Sequence, residues 1–317
     1  MSALLNEQST NPRVAVLLAV FDGANWLKEQ LDSILGQVKV DITIFVSVDQ
    51  SSDGSEQLID CWASLDPRIK ALQHGFHFGG AAPNFLRLMH EVDFSTFDFV
   101  SLADQDDIWN NNKLNAAIEL LRSKDASAYS SNALAFWGNG RTAFINKSQA
   151  QVKWDYLFEA AGPGCTYVLT QQLATSIQQL LVQKPQALKK VGFHDWFFYA
   201  YARAHEFKWV IDDQSWISYR QHASNQVGIN SGLQAFMHRV DKVSSGWALA
   251  QSIFLADLLD KKSEPFVKMW SSGNPLGLAR LACYSWQCRR RFRDKFFFFF
   301  ACIYMALKGG ISSSNKD

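Results

Sequence analysis

The chain is predicted to be an α/β protein, a sheet flanked by helices with a helical C-terminal extension, and three observations predict it. A continuous β-prone run, VAVLLAV (residues 14–20), is followed at once by a segment whose apolar residues recur at helical spacing. The same strand, loop and helix order then recurs twice. From about residue 232 the strand signals stop and the pattern turns helical.

Taken in order, the first strand leaves through FDGAN into a helix with Trp26, Leu27, Leu31, Ile34 and Leu35 on one face. DITIFVSVD is the second strand, and SSDGSEQLIDCWASL reads as a helix capped by Asp53 and Ser55. FDFVSLADQDD is the third strand, ahead of a helix over residues 113–121. This alternation implies a largely parallel sheet whose ligands sit outside the carboxyl ends of the strands. The loops AVFDGANW, SVDQSSDGS and LADQDD should therefore converge on one crevice. Further on, GPGCTYVLT reads as a Gly-rich loop entering a strand, and GFHDWFFYAYARAHEFKWVID as a capped helix followed by a strand. SWISYRQHASNQVG reads as a strand leaving into a polar loop. The expected division is an α/β domain over residues 1–231 and a helical extension over 232–317.

In that extension QAFMHRVDKVSSGWALAQSIFLADLLD reads as an amphipathic helix. Arg289, Arg290, Arg291, Arg293 and Lys295 then precede five consecutive phenylalanines, residues 296–300. The apolar stretch is shorter than the roughly 20 residues a spanning helix needs. Two readings stand side by side: a helix lying in a membrane interface, or a last core helix flanked by solvated charge. The first expects residues 286–317 to be removable without unfolding the rest.

Composition narrows the function. With 317 residues, 48% of them hydrophobic, there is ample material for a core. The 31 Lys and Arg nearly cancel the 30 Asp and Glu, which argues against nucleic acid as the main partner. Five scattered cysteines argue against a disulfide framework or structural zinc, and fit a cytosolic protein.

The chemistry concentrates in SLADQDDIWNNNKL, where Asp104, Asp106 and Asp107 follow a buried strand. Their mutual repulsion is costly unless a cation sits among them, which points to a hard divalent ion, Mg²⁺ or Mn²⁺, shared with a nucleotide diphosphate. A solvated, helix-capping acidic turn is the plainer reading. Asp49 ends the second strand, where it can accept hydrogen bonds from a nucleobase or ribose. In the first loop Val20 and Asp22 are further candidates for donor contact, Gly23 allowing close backbone approach. Asp195 opens a helix, either as a cap or as a general base. His222 is a candidate metal or diphosphate ligand, or a surface histidine.

Together VAVLLAVFDGANWLKEQLDSILGQ, VSVDQSSDGS, SLADQDDIWNNNKL, GCTYVLT, HDWFFYAYA and YRQHASNQVG, in this order over about residues 13–230, resemble the family 2 glycosyltransferases of the GT-A fold, in particular bacterial rhamnosyltransferase-like members. The resemblance implies a Rossmann-like mixed sheet flanked by helices. It implies that Asp49 contacts the base, that Asp106 ligates the metal with Asp104 nearer the ribose, and that Asp107 supports the loop. By the same resemblance Asp195 is the catalytic base, His222 lies near metal and diphosphate, and Gly164, Cys165, His194 and Trp196 line the acceptor side. The second loop departs from the family's usual pair of consecutive aspartates, having Val48, Asp49 and Gln50. The implied reaction is inverting transfer of a sugar, L-rhamnose from dTDP-L-rhamnose, to a lipid-linked bacterial surface polysaccharide of O-antigen or capsule type. The implied place is the cytoplasmic face of the inner membrane, with the enzyme held peripherally. A non-catalytic nucleotide-sugar-binding scaffold is the alternative, and it predicts loss of the acidic residues. A nucleotidyltransferase would share the acidic loop but not the HDW and YRQH elements.

Overall fold

A computed structural model describes residues 11–185, 189–222 and 246–310. Its centre is strand β1 (Arg13–Val20), every residue of which after Arg13 is buried. On one side β1 pairs in parallel with β2 (Asp41–Val48), and on the other with β4 (Phe99–Asp104). The short β3 (Ile69–Ala71) adds in parallel beyond β2. Register aligns the carboxyl ends: Val20 lies beside Val48, and Ala19 beside Asp104. The three predicted loops therefore do leave one edge of the sheet together.

Beyond β4 the sheet is mixed rather than largely parallel, nine strands among the described residues, with β8 (Val168–Thr170) antiparallel to β4. Next come β6 (Ala128–Trp137), β9 (Trp209–Gln221) and the two-residue β5 (Ile108–Trp109) at the far edge, while β7 (Thr142–Ile145) forms a hairpin with β6. The antiparallel β8 arises because the chain enters it from Gly164 and Cys165, beside the carboxyl end of β4. The predicted strands KWVID and SWISYRQ are one strand, β9, whose pairing with β6 is interrupted by irregularities near Ser131 and Asn132.

Helices cover both faces. They include α1 (Leu27–Leu35), α2 (Ser55–Leu65), α3 (Ala81–Glu91), α4 (Lys113–Lys124), α5 (Gln171–Gln183) and α6 (His194–Ala204). The predicted caps differ. Gly54 in left-handed conformation (φ 87°) starts α2 and Phe193 starts α6, neither with a side-chain cap. Asp53 still accepts the Ser55 N–H at 3.0 Å.

In the C-terminal extension, α7 (Trp247–Leu258), α8 (Pro265–Trp270), α9 (Pro275–Cys283), α10 (Ser285–Cys288) and α11 (Phe292–Leu307) pack on one another and on the turn Asp155–Leu157. Trp270, Leu278, Cys288 and Cys302 share one continuous core with Trp154, Phe158 and the α6 residues Trp196 to Ala202. The expected division near residue 231 and the first part of the amphipathic segment, residues 234–245, lie outside the described residues. The basic run is not uniformly solvated. Arg290 is buried against Asp155 and Glu159, and Arg289 donates to the Phe158 carbonyl at 2.9 Å.

Candidate active site

The acidic loop is built by the end of β4 and clamped from the far side of the sheet. Because β5 pairs with β9, the end of β9 is delivered to residues 106–108. There Arg220 donates its N–H to Asp107 Oδ1 at 3.2 Å and its Nε to the Asp106 carbonyl at 2.8 Å, and it forms an ion pair with Glu29 on α1. Two residues further, His222 Nε2 meets Asp106 Oδ2 at 2.7 Å. The His222 ring stacks on Trp26, centroids 4.0 Å apart and planes 17° apart. Trp26, expected on the core face of α1, thus serves the site.

Below this lies a second layer. Oxygens of Asp104 and Asp107 and the Cys165 sulfur all lie within 4.8 Å of one another. Burial, then the charges of Asp106 and Asp195, push the Asp104 carboxyl up to about 7. Asp107 is raised well above the usual carboxylate range by burial and by Asp104 and Asp106, and its Oδ2 is buried without a hydrogen bond among the described residues. The thiol of Cys165 is held protonated by burial and by Asp107 and Asp104. Lys113 is fully buried at the start of α4, donates to Ser101 Oγ at 3.2 Å and lies 3.3 Å from the Trp109 ring centre. Its burial lowers the ammonium to about 7.

These groups fit a divalent cation. Asp104, Asp106 and Asp107 crowd together, and Asp107 Oδ2 is buried without a hydrogen bond among the described residues, an arrangement that a positive charge would stabilise. Asp104 and Asp106 offer hard oxygen donors and His222 a nitrogen. A protonated thiol is a poor ligand for Mg²⁺ or Mn²⁺, so Cys165 forms the wall rather than the cage.

The first two loops are stitched together. Asp22, at φ 45°, uses Oδ1 to accept the Ser52 N–H at 2.7 Å, while its own N–H donates to Ser51 Oγ. Gly23 donates to Ser55 Oγ and Ala24 to Asp53 Oδ2. A side chain at Gly23 would strike Gln105 Oε1 at 2.5 Å, and Gln105 exchanges two hydrogen bonds with the Phe21 backbone. Asp49 is buried, and its carboxylate accepts N–H groups of Gln50, Phe78 and Gly79 at 2.7 to 2.9 Å. It anchors the segment after β3, with His77 Nδ1 at 3.6 Å. Val20 keeps its side chain in the core, and its carbonyl accepts from Asp49 and Asn84.

Asp195 is the second residue of α6, and Oδ1 accepts the Trp196 N–H at 2.7 Å. Burial raises its carboxyl to about 6, partly offset by the Trp196 N–H and the charge of Lys147, a residue the sequence did not single out. The turn of Gly164 and Cys165 links it to Asp104: Gly164 packs on Asp195, Cys165 Sγ lies within 4.8 Å of an Asp104 oxygen, and the charge of Asp195 helps to raise the Asp104 carboxyl. Gly164 packs against this corner: an added Cβ would lie 2.6 Å from His194 Nε2 and 3.3 Å from Asp195 Cβ. His194 stacks on Phe85 at 4.1 Å, and burial lowers its imidazole to about 3, so it is a neutral wedge. Trp196 does not reach the crevice. Its indole is buried and donates to the Tyr156 carbonyl at 2.9 Å.

Asp104, Asp106, Asp107, Cys165 and His222 are thus brought together, with Asp195, His194 and Gly164 adjoining. Trp26, Arg220 and Lys113 were missed as site residues, and only Arg220 carried a signal, its place in YRQH. Comparison with known proteins follows the same outline. The family model for glycosyl transferase family 2 matches residues 15–167. The chain is 37% identical over 281 residues, 88% of its length, to the dTDP-rhamnosyl transferase RfbG of Shigella flexneri, and spans 96% of that protein. It is 25% identical over 119 residues to the glycosyltransferase GlyG of Streptococcus pneumoniae serotype 4, covering 38% of each. Among solved structures, S. aureus TarS in complex with UDP superposes with a TM-score of 0.54 at 12% identity, covering 93% of this chain and 91% of that one.

Proposed function

The chain belongs to glycosyl transferase family 2, and from that premise we propose that it transfers L-rhamnose from dTDP-L-rhamnose, with inversion, to a hydroxyl of a lipid-linked bacterial surface polysaccharide. The observation that carries the reading is the 37% identity to a dTDP-rhamnosyl transferase along nearly its whole length. The grouping of Asp104 and Asp106 in one loop, with Asp195 reached through the adjoining Gly164 and Cys165 turn, supports the chemistry. A non-catalytic scaffold would have no reason to keep three carboxylates at this cost.

In the proposed reaction Asp195 takes the proton of the acceptor hydroxyl. That oxygen forms its bond to the anomeric carbon on the face opposite the departing group, and the bond from that carbon to the diphosphate oxygen breaks. A carboxyl raised to about 6 is mostly ionised near neutral pH yet basic enough to share a proton as the oxygen attacks. Mg²⁺ or Mn²⁺, held by Asp104, Asp106 and His222, would offset the charge on the departing nucleoside diphosphate. Asp107, hydrogen-bonded to Arg220, supports the loop. Asp49 and Asp22 position the two loops facing the nucleotide, with Val20 at their base. Gly164, Cys165 and His194 wall the acceptor side.

Because the acceptor is lipid-linked, we place the enzyme peripherally at the cytoplasmic face of the inner membrane. Among the described residues no helix is long and apolar enough to cross a membrane. The test is nucleoside diphosphate release by purified protein with Mg²⁺ or Mn²⁺, across a panel of nucleotide sugars, with and without a lipid-linked acceptor extract. Release from dTDP-L-rhamnose that needs both metal and acceptor is expected. Release from a different donor would overturn the rhamnose assignment, and pyrophosphate as product would overturn the class.

A further inference from the structure

The C-terminal helix α11 has two unlike sides. Its inner side sends Phe298, Phe299, Cys302 and Met305 toward the core. Its outer side exposes Phe292 (68%), Phe296 (42%), Phe300 (64%), Tyr304 (44%) and Leu307 (83%), one residue per turn along its length. Trp286, 47% exposed, extends this strip, its ring centre 5.1 Å from that of Phe296. Sixteen residues make a strip about 24 Å long at the α-helical rise. Scattered apolar residues are ordinary on a protein surface, but a continuous aromatic strip of this length marks a binding face.

Cations border it at both ends. Arg291 and Arg293 are exposed beside Phe292, and Lys295 lies 6.0 Å from the Trp286 ring centre. At the far end Lys308 sits 4.8 Å from the ring of Tyr304. The helix has one acidic residue, Asp294, and it is engaged by Arg289 and Arg293. We propose that this face docks on an anionic lipid bilayer, α11 lying in the interface plane with its aromatic strip among the acyl chains and its cations on the head groups. Two copies meeting face to face would bring these cations together, whereas acidic head groups neutralise them. Tryptophan, tyrosine and phenylalanine edged by lysine and arginine are the side chains that settle at such a boundary. The basic run is thereby divided by function: Arg289 and Arg290 face inward, Arg291 and Arg293 outward.

The inference deepens the membrane placement above by naming the docking face and its lipid chemistry. It is tested by flotation of the full-length protein with vesicles of phosphatidylcholine, alone or with added phosphatidylglycerol, alongside quenching of Trp286 by brominated lipid. The protein should float with the phosphatidylglycerol vesicles, with quenching that the Trp286→Phe variant loses. Phe296→Ser with Phe300→Ser should weaken binding about a hundredfold, roughly tenfold for each ring kept from the lipid. Arg291→Glu with Arg293→Glu should abolish the preference for anionic vesicles. Both pairs are solvent-exposed, and unchanged melting temperatures would establish that they fold. Failure of the full-length protein to float, or equal binding by the double serine variant, would overturn the inference. So would a dimer dissolved by the serine substitutions, which would assign the face to a second copy. Nucleoside diphosphate release is read separately, so failure to dock and failure of the rhamnosyl reading are distinguishable.

Discussion

Arg290, in the middle of a basic run that reads as solvent-facing, points its guanidinium inward to Asp155, Nη1 to Oδ2 at 3.3 Å, and both side chains are almost wholly buried. The same carboxylate accepts Tyr199 OH at 2.8 Å and Arg203 Nη1 at 3.0 Å, both from α6, the helix that begins with His194 and Asp195. Arg290 Nη2 also donates to the Ala160 carbonyl at 2.6 Å, just before the turn carrying Gly164 and Cys165. One buried cation therefore joins the extension, the helix α6 that carries Asp195, and the segment leading to Gly164 and Cys165.

Replacing Arg290 with Met should destabilise the protein by about 3–5 kcal/mol, since it removes one partner of a buried charge and leaves the Ala160 and Ala161 carbonyls short of a donor. Chemical denaturation with and without the substitution measures this. Deleting residues 286–317 should for the same reason leave an unfolded or aggregating chain. The segment supplies Arg290 and also the Gln287 carbonyl that accepts the Trp154 N–H at 2.8 Å. This outcome would run against the expectation that residues 286–317 are dispensable.

Asp195→Asn should reduce transfer between roughly a hundredfold and ten-thousandfold while leaving dTDP binding within about twofold, as expected for loss of a general base. Single-turnover transfer and calorimetric binding separate the two. The proposed base would work only when ionised. With its carboxyl raised to about 6 by burial, kcat/KM should climb with pH through that value and level off above it. A flat profile across this range would reassign the base.

Cation binding should release protons. Asp104, pushed up to about 7, is substantially protonated at pH 6 without a cation, and must give up its proton to become a ligand. Titrating Mn²⁺ in buffers of different ionisation enthalpy should reveal this release at pH 6 and its near disappearance at pH 8.5. The linkage sign follows. A carboxyl raised above its unfolded value of 3.8 costs stability as pH rises from there through about 7. Mn²⁺ should accordingly raise the melting temperature more at pH 8 than at pH 5.

Much of the sheet's left half was readable because its strands are buried on both faces and end in polar loops: residues 14–20, DITIFVSV and FDFVSLAD need no partner to be recognised. The half beyond β4 was not. Strand β6 contains Ser130, Ser131 and Asn132, polar yet buried; Ser131 Oγ donates to the neighbouring Asn132 carbonyl, but the other two meet groups distant in sequence. Trp209 Nε1 donates to Ser130 Oγ at 3.0 Å, and Asn132 bridges the Lys147 N–H and the Asp213 carbonyl. The acidic loop declared itself by the cost of placing carboxylates together. Its clamp did not, because Trp26 and Arg220 meet it only through the pairing of β5 with β9, far apart in sequence. The inward turn of Arg290 was equally hidden, its partner lying 135 residues away.

Gly164 sets the last expectation. Its φ is not in the left-handed region, so alanine would cost little as backbone, and its effect would come from the Cβ alone. That atom would press on His194, whose ring is backed by Phe85 and cannot retreat freely, and on the Cβ of Asp195. Gly164→Ala should therefore shift the base by a few tenths of an ångström, lowering kcat by about ten- to a hundredfold. The affinity for dTDP and Mn²⁺ should change little, since Asp104, Asp106 and His222 are held from β4 and β9. Steady-state kinetics beside calorimetry tests the split. Equal losses in both would mean that the turn carrying Gly164 supports the nucleotide as well as the base.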